Sequence, residues 1–301
     1  MMLIQNGQDM VEMRIEGKTK IVISDQRDNT LVSIVTKDAL TGNDGELNKK
    51  LPVAAEKTEQ TCNVFQLMEE HEIPTAYVRQ SSENSFVAQR CMMIPLECVV
   101  RRQPYGSYLK RHPKKRYTER FDPPLVEFFH KHTVILPEKK MLPEELAREE
   151  YMNEETGWRE GVYTDPLIRF TRENQWSLYP PKAPSNLLQE PLLRISALLS
   201  SSDLEEIRET LIVPTFEVLE RAWKEQEITL VDMKIEVGRR VKDDKIVVAD
   251  VIDNDSWRIW PKGDPKQQLD KQSFREGEDN DNVVGKYRTV TACTRKFSVR
   301  Q

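Results

Sequence analysis

Along the first hundred residues, β-branched residues alternate with polar ones in short runs, a pattern typical of half-buried strands. Two such runs, residues 13–23 and 30–36, flank the turn-forming segment Asp25-Gln26-Arg27-Asp28-Asn29 and predict a hairpin. Residues 58–72 instead place apolar side chains at helical spacing, and Pro74 marks where that helix has to end. Further strands are predicted at residues 75–79, 85–89 and 96–101. The first third of the chain is therefore expected to be twisted β-structure around one helix.

The longest helical pattern covers residues 202–223, where apolar residues recur three and four positions apart. Ser202 and Glu205 have the spacing of a capping box at its start. Pro214 should kink or split this helix, because proline has no backbone N–H to donate.

Two apolar runs, residues 230–237 and 245–252, predict a second antiparallel hairpin. In the first run, apolar residues alternate with the charged residues Asp232, Lys234 and Glu236. Residues that face each other on paired strands lie about 5 Å apart, so Glu236 and Asp250 could hold one divalent cation. A solvated sheet face with a few surface ion pairs would explain the same pattern.

The composition describes a slightly acidic globular protein: of 301 residues, 38% are hydrophobic and 32% are charged, with a net charge of −5. That balance gives no support to nucleic-acid binding. No apolar run approaches the roughly 20 residues of a membrane-spanning helix, and the first residues lack the apolar centre of a signal peptide. We therefore expect a cytoplasmic protein. The four cysteines form no C-x-x-C pair, which argues against a zinc site and a disulfide framework.

Two segments carry residues that suit phosphate. In Glu16-Gly17-Lys18-Thr19-Lys20, two lysines share one side of a strand beside a glycine, so backbone and ammonium groups can both approach a polyanion. This is not a Walker A loop, because Glu12 stands where the first glycine of that motif would be. Arg101 precedes a glycine-containing turn at Ser107, whose amides and hydroxyl suit a phosphate. A nucleic-acid patch continuing through residues 114–116 is the alternative for this second segment.

Six segments follow one another in a fixed order along the chain. They are Glu16-Gly17-Lys18-Thr19-Lys20, Ile94-Pro95-Leu96-Glu97, Arg101 with Gly106-Ser107 and Lys110-Arg111, Leu230-Val231-Asp232-Met233-Lys234-Ile235-Glu236, residues 249–258 and residues 269–275. In this order they resemble the SAICAR synthetases, the phosphoribosylaminoimidazole-succinocarboxamide synthases. The resemblance covers roughly residues 13–275. It is strongest to the synthetase half of the bifunctional enzyme that also carries an aminoimidazole ribotide carboxylase.

The resemblance implies an ATP- and Mg²⁺-dependent ligase of de novo purine synthesis. Such an enzyme joins L-aspartate to carboxyaminoimidazole ribotide (CAIR) through an acyl phosphate and gives SAICAR, ADP and phosphate. It also implies an α+β fold of two lobes with the ATP cleft between them: an antiparallel β lobe over residues 1–94 and a larger α+β lobe over residues 95–275. Residues 276–301 are expected to be a poorly ordered polar tail. A homo-oligomer without nucleic-acid or membrane partners is expected.

The same resemblance implies a role for individual residues. Contacts with ATP fall to Lys18, Lys20, Lys131 and the backbone from Cys91 to Met93. The magnesium ligands are Glu236 and Asp250. The ribotide phosphate falls to Arg101, Ser107 and Arg258. Asp255 lies at the imidazole end, and Lys234, Asp270 and Lys271 orient substrate. Of these, the candidate catalytic residues are Lys234, Asp255 and Lys271, and Asp270 is a substrate contact.

Two segments depart from the family pattern. Residues 51–58 contain no Gly-Lys pair before the first helix, in a region that helps to form the family's substrate cleft. Residues 132–163 look like an insertion, with a short predicted helix at 143–151. No carboxylase segment follows, so we expect that second activity to be absent. A ligase for another amine or ribotide and a non-catalytic nucleotide-binding homologue therefore stay open as alternatives.

Overall fold

A computed structural model describes residues 14–25, 27–42, 47–131, 133–135, 158–159, 162–172, 174–182, 191 and 193–297. The first strands are β1 (Arg14–Glu16), β2 (Lys20–Ser24), β3 (Leu31–Thr36), β4 (Leu40–Gly42), β5 (Leu47–Lys49), β6 (Tyr77–Ser82), β7 (Ser85–Gln89) and β8 (Cys91–Met93). They are followed by β9 (Leu96–Arg101), β10 (Leu125–His130), β11 (Thr133–Ile135), β12 (Trp158–Arg159), β13 (Val162–Thr164), β14 (Leu167–Arg172), β15 (Gln175–Tyr179), β16 (Leu193–Ser196), β17 (Ile228–Arg240), β18 (Ile246–Ala249) and β19 (Trp257–Pro261). The helices are α1 (Ala54–Glu70), α2 (Ser107–Arg111), α3 (Ser201–Ile207), α4 (Val213–Lys224), α5 (Gln272–Arg275) and α6 (Asn280–Thr294).

The N-terminal sheet is antiparallel and has the strand order β1-β2-β3-β7-β6. Strands β2 and β3 pair across the turn at residues 25–29, which confirms the first predicted hairpin. Along β3, Val32, Ile34 and Thr36 are buried and the residues between them are partly exposed, as strand alternation requires. Helix α1 packs against this sheet, where the ring of Phe65 lies 6.4 Å from that of Phe86 on β7.

Helix α1 begins at Ala54, one turn before the predicted start, and ends at Glu70. Its N-cap residue, Val53, has no side-chain acceptor, and Asp38 from an earlier loop accepts a hydrogen bond from the Ala54 N–H at 2.9 Å. The cap therefore comes from a residue distant in sequence. This explains why the local pattern placed the start of the helix too late.

The larger sheet is organised around β17. Its order is β16-β15-β14-β10-β9-β17-β18, and β8 and β19 also pair with β17. Because β17 is 13 residues long, it pairs with β19 near its start, with β9 in its middle and with β8 and β18 near its end. The pairing with β18 confirms the second predicted hairpin. Asp232 and Glu236 of β17 are 4% and 6% exposed, so their charges lie in the interior and not on a solvated face.

The long helical pattern is split as predicted. Helix α3 ends at Ile207, a π-helical turn covers Arg208–Ile212, and α4 begins at Val213 with Pro214 in its first turn. Proline lacks the N–H that would continue the upstream helix but is tolerated at a new helix start. The predicted capping box of Ser202 and Glu205 is wrong: Ser200 and Asp203 form it, because Ser200 is the residue with extended backbone before the helix.

The expectation of a poorly ordered tail after residue 275 is also wrong. Asp279 caps α6 by accepting a hydrogen bond from the Asp281 N–H at 3.0 Å. Helix α6 packs against α1 and buries side chains at helical spacing, namely Val283, Val284, Tyr287, Val290, Thr291 and Thr294. Acidic residues before and within the first turn of α6 made this segment look polar throughout, because its apolar face is narrow. Negatively charged residues at this position stabilise a helix N-terminus.

The mixture of helices and mainly antiparallel sheets confirms the predicted α+β class. The predicted boundary near residue 94 falls between β8 and β9, which both pair with β17, and the division into two lobes stays a prediction. Most of residues 132–163, including the helix predicted at 143–151, lies outside the described residues. In the part of the chain that the structure describes, none of the helices could span a bilayer.

Candidate active site

One group of charged side chains gathers where β2, β9, β17 and the end of β18 meet. Lys20 of β2 forms an ion pair with Asp250, the residue after β18. On β17, Glu236 accepts hydrogen bonds from Lys131 and, at 2.8 Å, from Lys234. Lys234 also donates to Glu97 of β9 at 2.9 Å. We call this group the lysine–carboxylate cluster: Lys20, Glu97, Lys131, Lys234, Glu236 and Asp250.

Within this cluster, Glu236 and Lys234 hold each other in their charged forms, whereas burial lowers the pKa of Lys20 to about 8. Burial would raise the pKa of Glu236, but the Lys234 and Lys131 ammonium groups outweigh burial and lower that pKa to about 2. Burial likewise disfavours the Lys234 ammonium, yet Glu236 and Glu97 overcome it and raise the pKa of Lys234. The structure thus brings together five residues that the sequence named as site candidates, and their roles stay predictions: Lys20, Lys131, Lys234, Glu236 and Asp250.

Glu236 and Asp250 offer the carboxylate oxygens that hard divalent cations prefer. Within the described ranges, no three or more His, Cys, Asp or Glu side chains are arranged to hold a metal by themselves. Mg²⁺ needs no such protein cage, because it takes one or two carboxylates and completes its shell with phosphate oxygens and water. The donor set therefore fits Mg²⁺ that arrives with a nucleotide.

Strand β8 pairs with β17 from two residues beyond Glu236 onwards: Met93 pairs with Gly238 and Cys91 pairs with Arg240. A Cβ at Gly238 would lie 2.8 Å from the Cβ of Cys91 and 3.1 Å from the Sδ of Met93, so the absent side chain lets β8 approach. Met92 and Met93 are 62% and 45% exposed. Exposed apolar side chains beside a charged cluster suit the flat face of an adenine ring.

A second group lies closer to the start of β17. Asp232 is the cross-strand neighbour of Arg101 on β9 and of Arg258 on β19. Its Oδ2 accepts hydrogen bonds from Arg101 Nη1 at 2.8 Å and from Arg258 Nη1 at 2.6 Å. Arg101 Nη2 also donates to Ser107 Oγ at 3.1 Å. We call Arg101, Ser107, Asp232 and Arg258 the arginine cradle.

Further contacts fix the two arginines of the cradle. Arg101 donates through Nε to Glu127 at 2.7 Å, and Glu127 also accepts a hydrogen bond from Arg111. The guanidinium of Arg258 lies 5.3 Å from the centre of the Tyr105 ring. The Arg258 side chain is 20% exposed, against 3% for Arg101, so Arg258 is the one that solvent or a ligand can reach.

A third group surrounds Asp255, in the loop between β18 and β19. Asp255 Oδ2 accepts hydrogen bonds from Lys57 of α1 at 2.8 Å and from Lys271 at 3.0 Å. Its Oδ1 accepts one from the hydroxyl of Tyr287 on α6. Asp253 lies 3.7 Å from the Lys57 ammonium. We call these five residues the Asp255 cluster.

The Asp255 cluster is buried, and its charges depend on each other. Burial would raise the pKa of Asp255, but the neighbouring Lys57 and Lys271 cations hold that pKa well below its usual range. Burial lowers the pKa of the Lys271 ammonium, with Asp255 opposing that shift. Asp255 is therefore a permanent anion at neutral pH, and Lys271 gives up its proton more readily than an exposed lysine.

Lys57, Tyr287 and Asp232 belong to these groups although they were not predicted as site residues. Lys57 lies in the segment that departs from the family pattern, and Tyr287 lies in the presumed tail. Neither position has a motif that could have revealed it. Asp232 had a signal, since it shares one face of a strand with Lys234 and Glu236.

Two predicted site residues are placed differently from the rest. Lys18 is exposed in the turn between β1 and β2, and its contact with ATP stays a prediction. Asp270 is buried and accepts hydrogen bonds from the backbone N–H groups of Ile259, at 3.2 Å, and Gln272, at 2.9 Å. These bonds tie β19 to the start of α5, so Asp270 holds the surroundings of Lys271 in place.

Comparison with known proteins shows to which family the chain is similar. The SAICAR synthetase family model matches residues 13–159 and 185–291. A phosphoribosylaminoimidazole-succinocarboxamide synthase of Chloroflexus aurantiacus is 37% identical over 270 residues, which are 89% of this chain and 88% of that protein. The bifunctional phosphoribosylaminoimidazole carboxylase/phosphoribosylaminoimidazole succinocarboxamide synthetase of Homo sapiens is 36% identical over 87% of this chain and 52% of that protein.

A solved structure of a SAICAR synthetase (Type-2) in complex with ADP has the same fold, with a TM-score of 0.68 and 24% identity. The match covers 94% of this chain and 97% of that one. The family model spans most of the chain, and relatives above one third identity cover nearly all of it. The chain therefore belongs to the SAICAR synthetase family.

Proposed function

We propose that this chain is an ATP-dependent ligase that joins L-aspartate to the carboxylate of CAIR and gives SAICAR, ADP and phosphate in de novo purine synthesis. One observation carries the proposal: the lysine–carboxylate cluster and the arginine cradle stand on the same strand, β17, at Glu236 and Asp232. Four residues of strand span about 13 Å. That separation suits two phosphate-bearing substrates whose reacting ends meet between the two groups.

The chemistry asks for positioning and charge neutralisation. A carboxylate is a poor electrophile, so its oxygen first takes the γ-phosphoryl group of ATP, which gives an acyl phosphate and ADP. The neutral amine of aspartate then attacks the acyl carbon: the C–N bond forms, the C–O bond to phosphate breaks, and the nitrogen loses one proton to the departing phosphate or to water. Neither step needs a protein nucleophile, and both gain from fixed cations around the transferring group.

The lysine–carboxylate cluster supplies the ATP end of the site. Lys20 and Lys131, with Lys18 nearby in sequence, contact the phosphates, and the backbone from Cys91 to Met93 binds the adenine edge. Glu236 and Asp250 would hold Mg²⁺, which neutralises charge on the phosphates. Lys234 lies between Glu97 and Glu236 and orients the carboxylate that receives the phosphoryl group.

The arginine cradle supplies the ribotide end. Arg258 and Ser107 bind the ribotide phosphate, and Arg101 supports them from its buried position. Asp255 meets the imidazole ring, with Lys271 beside it and Asp270 holding the loop. Because Asp255 stays ionised, its role is to accept hydrogen bonds and not to take a proton.

The test is ADP release by the purified chain with Mg²⁺, ATP and CAIR, with L-aspartate or each other amino acid added in turn. Turnover with aspartate, together with the mass of SAICAR, supports the proposal. ATP binding without turnover for any amino acid contradicts it and favours a different ribotide substrate or a non-catalytic homologue.

A ligase for a different amine or ribotide is the second candidate, because residues 51–58 lack the family's Gly-Lys pair and place Lys57 against Asp255. The same amino-acid series tests the amine, and repeating it with other carboxylated ribotides in place of CAIR tests the ribotide. Turnover with another amine and none with aspartate would favour this second candidate.

A further inference from the structure

Two helices that are far apart in sequence reach one carboxylate. Lys57 of α1 and Asp255 are 198 positions apart, and Tyr287 of α6 follows Asp255 by 32 positions. Both side chains are nearly excluded from solvent, at 3% and 1% exposure. A buried lysine and a buried tyrosine hydroxyl are costly unless they are partnered, and both take Asp255 as that partner.

The backbone of the same loop is also fixed by these helices. Gln60, one turn after Lys57 on α1, accepts a hydrogen bond from the Asn254 N–H at 2.9 Å. The Gln60 amide donates to the Tyr287 carbonyl and to Thr291 Oγ1, both at 3.0 Å. The α1–α6 pair therefore sets the position of the loop and, separately, the direction of its Asp255 carboxylate.

Asp255 nevertheless keeps some contact with the outside: its side chain is 17% exposed, whereas Asp253 beside it is 2% exposed. The charged and titratable groups that face Asp255 come from α1, its own loop, α5 with its preceding residue, and α6: Lys57, Asp253, Lys271, Arg275 and Tyr287. The three donors that touch Asp255 leave acceptor capacity on a carboxylate, which has about four lone-pair sites.

We propose that Lys57 and Tyr287 are positioning residues, which lock the Asp255 carboxylate so that it accepts a hydrogen bond from the amino group of the bound aminoimidazole ribotide. The inference rests on the proposed function and adds to it the residues that set the ribotide's orientation. It also gives a role to residues 51–58, the segment that differs from the family pattern, since that segment supplies Lys57 to the site.

A merely structural role is the competing explanation, because Lys57 and Tyr287 also join α1 to α6. The two roles differ in what they change. If the two residues only hold α1 against α6, their loss lowers the free energy of unfolding and affects CAIR and ADP binding equally. If the two residues position Asp255, their loss weakens the binding of the ribotide but not of the nucleotide, and it changes how activity depends on pH.

The experiment compares Tyr287→Phe and Lys57→Met with Thr294→Val, in which a buried hydroxyl of the same helix pair, bonded to Asn63 of α1, is lost without any contact to the Asp255 loop. Binding of CAIR and of ADP is measured by calorimetry, and kcat/KM for CAIR is measured against pH. We expect Tyr287→Phe to weaken CAIR binding about tenfold or more, since a hydrogen bond to a charged group is lost. ADP binding stays close to that of the unaltered protein.

The pH profile provides a second readout. Removing a donor from Asp255 raises the pKa of that carboxylate towards its ordinary range, so any movement of the acid limb of kcat/KM is to higher pH. Lys57→Met acts in the same direction, and Thr294→Val leaves the limb where it was. Equal losses for CAIR and ADP in Tyr287→Phe, a loss of CAIR binding of the same size in Thr294→Val, or an acid limb that moves to lower pH overturns the inference.

These outcomes are separate from those of the proposed function. If the unaltered protein binds CAIR but forms no SAICAR, the proposed reaction fails, and the calorimetric comparison of the three variants still decides the role of Tyr287. If the unaltered protein does not bind CAIR at all, both are overturned.

Discussion

The guanidinium of Arg258 lies in the space where a side chain at Gly106 would begin: a Cβ there would be 2.8 Å from Arg258 Nη2. Gly106 has φ +56° and ψ −129°, a backbone conformation that residues with a Cβ rarely adopt. The arginine cradle thus depends on an absent side chain as much as on the arginines themselves.

Gly106→Ala should displace Arg258, because the far end of a long side chain yields more easily than a β-sheet. We expect KM for CAIR to rise about tenfold while KM for ATP stays nearly constant. The backbone strain of Ala at this φ should also cost about 1–3 kcal/mol of unfolding free energy. Steady-state kinetics with each substrate varied in turn measure the first effect. Equal increases in both KM values would contradict the placement of Arg258 at the ribotide end.

Gly238→Ala should have the opposite selectivity. Its new Cβ would meet Cys91 at 2.8 Å and push β8 away from β17. We expect KM for ATP to rise and KM for CAIR to change little, since the arginine cradle lies on the other half of β17. A nucleotide-binding assay with ADP provides the measurement. Unchanged ADP affinity in a folded Gly238→Ala protein would remove β8 from the nucleotide site.

Asp232→Asn should destabilise the fold, because the buried Arg101 and the partly exposed Arg258 share that carboxylate. Removing one partner of a buried ion pair costs about 3–5 kcal/mol, since the remaining charges stay buried. Urea unfolding at neutral pH measures this loss. The matched control is Asp243→Asn: Asp243 pairs with Arg240 at 2.6 Å in an exposed turn, so its loss should leave stability nearly unchanged. Similar losses in both variants would mean that the cradle contributes no more than a surface pair.

Asp250→Asn should abolish turnover and leave the fold intact. Asp250 has φ +66°, and asparagine tolerates that region better than other residues with a side chain. A neutral amide, however, is a poorer ligand for Mg²⁺ than a carboxylate. Circular dichroism checks the fold and ADP release checks turnover, before and after removal and return of Mg²⁺. Asp244→Asn, which alters an exposed turn between β17 and β18, serves as the control. Near-normal turnover in Asp250→Asn would exclude it as a metal ligand.

The Asp255–Lys57 pair should give a defined pH dependence of stability. The pKa of Asp255 is held well below its usual range, so the pair contributes fully above the unfolded-state pKa of about 3.9 and less as pH falls towards the folded-state pKa. Lys57→Met should therefore lower the unfolding free energy by about 3 kcal/mol near pH 7. The difference from the unaltered protein should shrink below about pH 4. Urea unfolding of both proteins at a series of pH values between 3 and 8, with ionic strength and temperature held constant, provides the measurement. A difference that grows on acidification would contradict the ionised state of Asp255.

Local patterns were enough where the interacting residues are close in sequence. The hairpin of β2 and β3, the pairing of β17 with β18 and the break at Pro214 all followed from turn residues, alternation and the missing N–H of proline. The motifs also named most members of the lysine–carboxylate cluster and of the arginine cradle.

The remaining features depend on long-range contacts that no local pattern shows. The start of α1 is set by Asp38, 16 residues before it. Helix α6 was mistaken for a tail because its apolar face is narrow and becomes stable only against α1 and the segment around Leu40 and Leu51. Lys57 looks like an ordinary helix lysine until the fold brings Asp255 to it.

The lysine–carboxylate cluster has a consequence for the approach of ATP. Each lysine of the cluster already faces a carboxylate, as in the pairs Lys20–Asp250 and Lys234–Glu97. Entry of a nucleotide therefore exchanges one set of ionic partners for another and does not neutralise a bare positive surface. Long-range attraction of ATP should be weak, so the association rate should fall only slightly with ionic strength. Selection of the nucleotide would then occur after contact, as the bound phosphates and metal compete for groups that the fold has already paired.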